Sequence, residues 1–186
     1  MTYRIVVGMD LGEPGDTALR EALRLAARVT DSEVHPVHAI AADPAVEVGA
    51  VDEMDRHLQR GMELLKARVE SVALDAGTPA KTRLHVRFGD PVAVLQQAAV
   101  DYDCDVLVVG THGRRGMERL LLGSVASDLV KVARLPVLVA REKDFAGLER
   151  TEEIEPARPG EDLHRQNIVS DLIQVGPRKS HISGLV

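Results

Sequence analysis

The chain has 186 residues, 45% of them hydrophobic, which is sufficient for one domain with a full core and an appendage. Its formal charge of −6 at pH 7 argues against a general nucleic-acid-binding protein, because such proteins carry a basic surface that follows the phosphates. Only 2% of the residues are aromatic and tryptophan is absent, so platforms for stacking single-stranded bases are also missing. We therefore expect no nucleic-acid partner.

The amino-terminal residues and the cysteine content indicate the compartment. Cys104 is the single cysteine, so an intramolecular disulfide cannot form. The amino terminus lacks the basic and apolar regions of a secretory signal, and no apolar run approaches the roughly 20 residues that cross a bilayer. We expect a cytoplasmic protein without membrane insertion.

Apolar strands alternate with amphipathic helices from the start of the chain. The hydrophobic pattern predicts a buried strand at residues 3–9, a helix at 14–29 and a second strand at 34–40. A loop at residues 41–50 follows, with proline and glycine in it. Residues 52–75 then have the apolar spacing of a long amphipathic helix.

The alternation continues up to residue 140. A third strand is predicted at residues 82–86, and a helix at 91–100 begins with Asp90 as its N-cap and Pro91 in its first position. The last predicted elements are a buried strand at 106–109, a helix at 124–134 and a strand at 136–140.

This order predicts an α/β fold with a five-stranded, parallel, doubly wound sheet of Rossmann-like type and helices on both faces. Doubly wound sheets bind small molecules beyond the carboxyl ends of their strands, where the strand order reverses. Asp10 follows the first predicted strand and Gly110 follows the fourth. Both residues are therefore expected at the ligand-binding edge.

A glycine-rich segment after the fourth predicted strand has the features of a phosphate-binding loop. Gly110 and Gly113 have no Cβ, so main-chain amides can approach a phosphate closely. Gly123 and Ser124 precede the next helix, and Ser124 is expected as its N-cap. The free N–H groups and the positive end of that helix would face the same anion. The dinucleotide fingerprint and the P-loop are both absent.

The spacing of these four residues resembles the nucleotide-binding pattern of the universal stress protein family, in its ATP-binding subgroup. The resemblance extends from Tyr3 to Val139 and covers about residues 1–142. It implies a nucleotide-binding domain at residues 1–144 and a dimeric regulatory protein that binds ATP and hydrolyses it slowly at most. Residues 145–186 fall outside it.

The resemblance also assigns the base and phosphate contacts. It implies that Asp10 approaches the adenosine and that the main chain of Met9 and the side chain of Ala39 form the adenine pocket. For Asp10 a plain turn-forming role, and for Ala39 core packing, are the alternatives. Three more residues match family positions: Val109, Val125 and Ala126. Ala126 stands where many members carry Ser or Thr, a departure that would remove one phosphate hydrogen bond.

Charged and titratable residues near the loop leave several alternatives open. Arg114 and Arg115 would neutralise phosphate charge or would simply be solvated. His112 lies in the loop, where a histidine can transfer a proton or merely stand beside the phosphates.

His35 and His38, three residues apart on a strand, point to opposite faces and cannot bind one ion together. Mg²⁺ carried by the nucleotide phosphates is compatible with the sequence.

Two further regions suggest protein partners. Family members commonly pair through the last strand, here from Pro136 to Ala140, and such an apolar edge needs covering. A homodimer is therefore expected. Residues 145–186 combine a charged, proline-containing linker with a short amphipathic segment that would be helical only against a partner.

Two alternative functions remain at this point. A nucleotide hydrolase of the same fold would use His112 and Asp10, although the sequence offers no clearly positioned base or nucleophile. A dimeric scaffold that no longer binds nucleotide would act through residues 145–186. The intact glycines weigh against the scaffold.

Overall fold

A computed structural model of the chain describes residues 1–41, 51–111, 122–143 and 145–146. Strands and helices alternate through these residues as the sequence predicts. They are β1 (Tyr3–Gly8), α1 (Glu13–Ala26), β2 (Ser32–Ile40), α2 (Val51–Ala76), β3 (Lys81–Thr82), β4 (His85–Phe88), α3 (Pro91–Asp101), β5 (Val106–Gly110), α4 (Ser124–Val132) and β6 (Val137–Ala140).

The strands form one parallel sheet in the order β3-β2-β1-β5-β6, and β4 also pairs with β2. After β1, the next strands along the chain are added on one side of it, and β5 and then β6 are added on the other side. The strand order therefore reverses between β1 and β5, where a doubly wound sheet has its ligand site. The predicted fold class is confirmed.

The third predicted strand is divided in the structure. Residues 82–86 were expected to form one strand, but β3 and β4 both pair with β2 in a single register and are separated by Arg83 and Leu84. Arg83 N donates to Val34 O at 2.9 Å. The next bond of a parallel ladder would come from residue 36, and Pro36 has no N–H to donate. The ladder is interrupted there.

Helices cover both faces of the sheet and bury two apolar clusters. Residues of β1 alternate between them: Ile5 and Val7 pack with α1 and α2, and Val6 packs with α3 and α4. The buried stripe of α1 has the predicted helical spacing and comprises Ala18, Leu19, Ala22, Leu23 and Ala26. This double burial explains why the strands are nearly continuous apolar runs.

Two helix starts show how local sequence sets the edge of the sheet. Asp90 caps α3, since its Oδ1 accepts a hydrogen bond from Ala93 N at 3.0 Å, and Pro91 is the first helical residue, as predicted. The expectation for α4 was wrong by one residue. The carbonyl of Gly123 already accepts the first helical bond, from Ser127 N at 2.8 Å. Gly123 is therefore the N-cap, and Ser124 is the first residue of the helix.

An ion pair joins the helices on one face. Arg68 of α2 donates from Nε and Nη2 to the two carboxylate oxygens of Asp16 in α1, each at 2.7 Å. This bidentate bond raises the pKa of Arg68. These contacts belong to a unit spanning Met1–Lys143. In the described part of the chain, no helix combines the length and apolar character needed to cross a membrane.

Candidate functional site

A cleft of about 260 Å³ opens at the carboxyl edge of the sheet, where β1 and β5 end side by side. The ends of β1, β2 and β5 form its floor, and the first turns of α1, α3 and α4 form its walls. Its volume is close to the lower end of the about 300–1,000 Å³ typical of small-molecule sites. The cleft therefore occupies the position that the topology predicts for a ligand.

Most of the predicted site residues come together in this cleft. Those that line it are Met9, Asp10, Ala39, Val109, Gly110, Gly123, Val125 and Ala126. Ser124 is exposed at the start of α4 and does not line the cleft. Gly113, Arg114, His112 and Arg115 lie outside the described residues.

The structure adds lining residues that sequence reasoning missed. They are Gly8, Pro14, Gly15, Val37, Pro91 and Leu95. Each lies in the carboxyl-terminal half of a strand or in the first turns of a helix. The predicted topology contained the signal to find them, because all carboxyl strand ends of a parallel sheet meet the following helix starts at one edge.

The floor of the cleft is apolar. Met9, Val37, Leu95 and Val109 each have less than 8% of their surface exposed, and all four line the cleft. Buried aliphatic side chains of this kind offer dispersion contacts to a flat ring and no competing hydrogen bonds. The floor is suited to the face of a heteroaromatic base.

Asp10 is the charged residue of the described lining, and its carboxylate is anchored to the start of α1. Oδ1 accepts hydrogen bonds from Gly12 N and Gly15 N, each at 2.9 Å. A Cβ on Gly15 would lie 2.6 Å from this oxygen, so glycine is required for the approach. The turn-forming role is therefore present, and Oδ2 is left without a hydrogen-bond partner among the described residues.

The three helix starts around the cleft differ in charge. α1 has the Asp10 carboxylate on Gly15 N and carries Glu13 and Asp16 in its first turn. α3 is capped by the Asp90 carboxylate. Among the residues that the structure describes, α4 has neither an acidic side chain in its first turn nor a side chain that caps its N–H groups. An anion is therefore favoured at α4, where the positive helix end is not neutralised.

The main chain of Ala39 faces the cleft as a donor and acceptor pair. Successive residues of a strand direct their N–H and C=O groups to alternate sides. The carbonyl of Val37 bonds to Met9 N on the β1 side, so Ala39, two residues later, points the same way. β1 has ended at Gly8, and no described residue bonds the Ala39 N–H or C=O on that side. Both groups are free for a ligand.

Gly110 has a structural reason to be glycine. A Cβ at this position would lie 2.0 Å from the carbonyl oxygen of Pro14, because the end of β5 packs directly against the start of α1. This close approach brings the two strand ends and α1 together at the cleft. The absence of a side chain at Gly110 is therefore explained by packing before any ligand is considered.

The family model described as the universal stress protein family matches residues 1–141. The chain belongs to the universal stress protein family. A universal stress protein of Methanocaldococcus jannaschii is 31% identical over 144 residues, covering 74% of this chain and 81% of that protein. Universal stress protein G of Salmonella typhimurium is 33% identical over 148 residues, covering 76% of this chain and 100% of its own length.

Solved universal stress proteins share the fold. UspA from Lactobacillus plantarum has a TM-score of 0.59 at 23% identity, covering 75% of this chain and 97% of that one. A universal stress protein in complex with cAMP has a TM-score of 0.56 at 22% identity, with the same coverages. This universal stress protein therefore has the sheet and helix arrangement of its relatives over the unit that contains the cleft.

Proposed function

We propose that this universal stress protein binds an adenine nucleotide, ATP in the first place, and acts as a dimeric, nucleotide-responsive regulatory protein. The observation that carries the proposal is the cleft at the switch point, which has an apolar floor, a free main-chain edge and one anion-binding helix start. A universal stress protein of the same fold has been solved with cAMP. We propose a cytoplasmic location, in line with the single cysteine.

The base would lie on the apolar floor with its edge against Ala39. Adenine presents a donor, its amino group, next to an acceptor ring nitrogen. The C=O and N–H of Ala39 offer the complementary acceptor and donor. Guanine presents a carbonyl and a ring N–H in the same places, so both contacts would be mismatched. A site with unpaired polar groups rejects such a ligand strongly.

The phosphates would extend toward α4. The main-chain N–H groups of Val125 and Ala126 lie in the first turn of this helix and are not capped by the side chain of any described residue. Asp10 and Asp90 occupy the other helix starts and would repel phosphate. Mg²⁺ would be bound through phosphate oxygens, since no cluster of three or more metal-ligating side chains occurs within the described ranges.

Binding rather than rapid turnover is proposed for this site. Asp10 is the titratable side chain in the described lining, and its Oδ1 is already bonded to two amides. Burial raises the pKa of the Cys104 thiol to about 12, so this cysteine stays protonated and is a poor nucleophile. If the purified protein hydrolysed many ATP molecules per second, this result would contradict the proposal and favour a hydrolase that uses His112.

The two edges of the sheet favour dimerisation through β6. At the β3 edge, Lys81 and Arg83 are exposed; Lys81 pairs with Asp31, which precedes β2, and Arg83 pairs with Glu33 of β2. Charged side chains of this kind prevent edge-to-edge pairing. β6 has the sequence Val-Leu-Val-Ala, and Leu138 is 36% exposed. The uncharged edge is the one suited to a second copy.

The first experiment identifies the ligand and measures its affinity. Freshly purified protein is denatured, and any released nucleotide is identified by mass spectrometry. The stripped protein is then titrated calorimetrically with ATP, ADP, AMP, cAMP and GTP. We expect micromolar binding of adenine nucleotides, worth about 8 kcal/mol, and much weaker binding of GTP.

Variants locate the binding in the cleft. Ala39→Leu enlarges a side chain in the part of the cleft proposed for the base. Gly113→Val adds a side chain to the loop glycine. Both variants are expected to abolish ATP binding. Ala27→Leu, on the exposed end of α1, makes the same change away from the cleft and is the control. Absence of both released nucleotide and heat of binding would overturn the proposal in favour of the scaffold.

A further inference from the structure

The hydrogen-bond ladder between β1 and β2 ends where a side chain, and not the main chain, supplies the next donor. Gly8 and Val37 are the last paired residues, and Met9 N donates to Val37 O at 2.9 Å. In a continuing parallel ladder, Ala39 N would donate next to Met9 O. The carbonyl of Met9 is instead bonded at 2.8 Å by Nδ1 of His38.

We propose that His38 is a positioning residue for base recognition. Its imidazole occupies the carbonyl of Met9, which keeps Ala39 out of the ladder and leaves the Ala39 N–H and C=O directed into the cleft. This inference rests on the proposed adenine-nucleotide function and assigns the base selectivity of that site to a residue outside the cleft lining.

The bond to the Met9 carbonyl determines whether Nδ1 of His38 carries a proton. A carbonyl oxygen can only accept, so Nδ1 of His38 must carry the proton and donate. The ring lies on the α2 face of the sheet, where Gly61 approaches. A Cβ on Gly61 would lie 3.8 Å from Cδ2 of His38 and 3.0 Å from Cδ1 of Ile40. The missing side chain of Gly61 leaves room chiefly for Ile40 and Val86, and the imidazole of His38 lies beside them at ordinary contact distance.

Removal of the imidazole should let the ladder continue. The carbonyl of Met9 would then be without its partner, and Ala39 N is the main-chain donor that standard parallel geometry directs toward it. β1 would then pair with β2 over one more residue, and the N–H of Ala39 would no longer be available to the ligand base. The side chain of His38 and the ligand base are therefore linked through one carbonyl group.

Amide hydrogen exchange tests this competition without any ligand. In the nucleotide-stripped protein, we expect the Ala39 amide to exchange rapidly in the wild type and at least tenfold more slowly in His38→Leu. His38→Asn places an amide nitrogen where Nδ1 stands and should keep rapid exchange. His57→Leu, on the exposed start of α2, is the control histidine and should resemble the wild type.

Base selectivity provides the second readout, which general destabilisation would not change. Calorimetry with ATP and GTP should show about a tenfold loss of ATP affinity in His38→Leu, a drop in the ATP-to-GTP affinity ratio, and restoration of both in His38→Asn. A protected Ala39 amide in the wild type, or an unchanged ratio in His38→Leu, would overturn the inference.

The two proposals fail in different ways. If the wild type binds no nucleotide while its Ala39 amide exchanges rapidly and that of His38→Leu exchanges slowly, the nucleotide function and the base-recognition role are both overturned, yet the competition for the Met9 carbonyl is upheld. If the wild type binds ATP selectively and His38→Leu does so equally well, the function stands and His38 has no positioning role.

Discussion

At the residue scale, Asp10 serves the fold and, in our proposal, the ligand, and substitution can separate these roles. Asn keeps an oxygen for Gly12 N and Gly15 N, whereas Ala removes both hydrogen bonds. We expect Asp10→Ala to lower the free energy of unfolding by about 1–3 kcal/mol and Asp10→Asn to lower it less. Urea denaturation measures this difference.

Calorimetry with the same variants tests the ligand role of Asp10. Both substitutions should weaken ATP binding, because an ionised acceptor makes the stronger hydrogen bonds to the nucleoside. Asp55→Asn, on the exposed part of α2, is the control for removing one negative charge. Wild-type ATP affinity in Asp10→Asn would show that the carboxylate acts in the turn alone.

Gly110 provides a second test at this scale, on stability. Gly110→Ala would bring a Cβ to 2.0 Å from the Pro14 carbonyl oxygen, so the main chain must shift. We expect the variant to lose about 1–3 kcal/mol of unfolding free energy or more. Gly12→Ala, whose Cβ would stand 3.4 Å from the nearest atom, should lose clearly less. Equal thermal midpoints for the two variants would contradict the packing explanation.

At the element scale, β2, β4 and α3 are joined by a stack of His35, His85 and Tyr102, with ring centroids 4.3–5.2 Å apart. Arg87 donates to the Tyr102 hydroxyl at 2.9 Å, and that hydroxyl shares a hydrogen bond of 3.0 Å with Nδ1 of His85. Nε2 of His85 shares another, also 3.0 Å long, with Nδ1 of His35. Both histidines are neutral in this arrangement.

The surroundings of His35 explain why the stack resists a positive charge. Nε2 of His35 is buried and makes no hydrogen bond to a described residue, and the nearest carboxylate, on Glu33, is 3.8 Å away. Burial, then the neighbouring His35 and Arg87, lower the pKa of His85 from 6.5 to about 4. Burial also lowers the pKa of His35. The folded state therefore favours neutral rings.

This arrangement predicts a loss of stability in acid. Well above pH 6.5, His85 is neutral in both the folded and the unfolded state, so it does not lower the free energy of unfolding. Between pH 6.5 and 4 the unfolded chain binds the proton more readily, so the free energy of unfolding should fall by about 1–3 kcal/mol. Urea denaturation across this range measures the slope.

A matched pair of variants assigns the acid effect. His85→Phe keeps a stacked ring and removes the titrating group, so its stability should change less with pH than that of the wild type. His57→Phe removes an exposed histidine and should keep the wild-type slope. Parallel pH profiles for the wild type and His85→Phe would refute the assignment.

At the scale of the whole molecule, the unequal edges of the sheet predict how two copies meet. Leu138→Lys places a charge on the uncharged edge strand β6 and should convert a dimer to a monomer in analytical ultracentrifugation. Thr82→Lys makes a similar change on β3, at the opposite edge, and should leave the dimer intact. A monomeric wild type at high concentration would overturn the dimer proposal.

Much of the fold followed from periodicity, and its errors have local causes. The buried runs of β1 and β5 and the Asp90-Pro91 start of α3 were found because local sequence specifies them. The division of the third strand was missed because it depends on Pro36, which lies in a different strand. The N-cap of α4 was misplaced by one residue because Ser and Gly both suit that position.

The sequence alone determined the parallel α/β fold, the family and the edge at which Asp10, Gly110 and Gly123 meet, since each depends on the order of elements and on short motifs. Tertiary structure decided why Gly110 must be glycine and that His38 bonds to Met9. These features join residues far apart in the chain. Their physical cause is distance in the folded molecule, which no local pattern records.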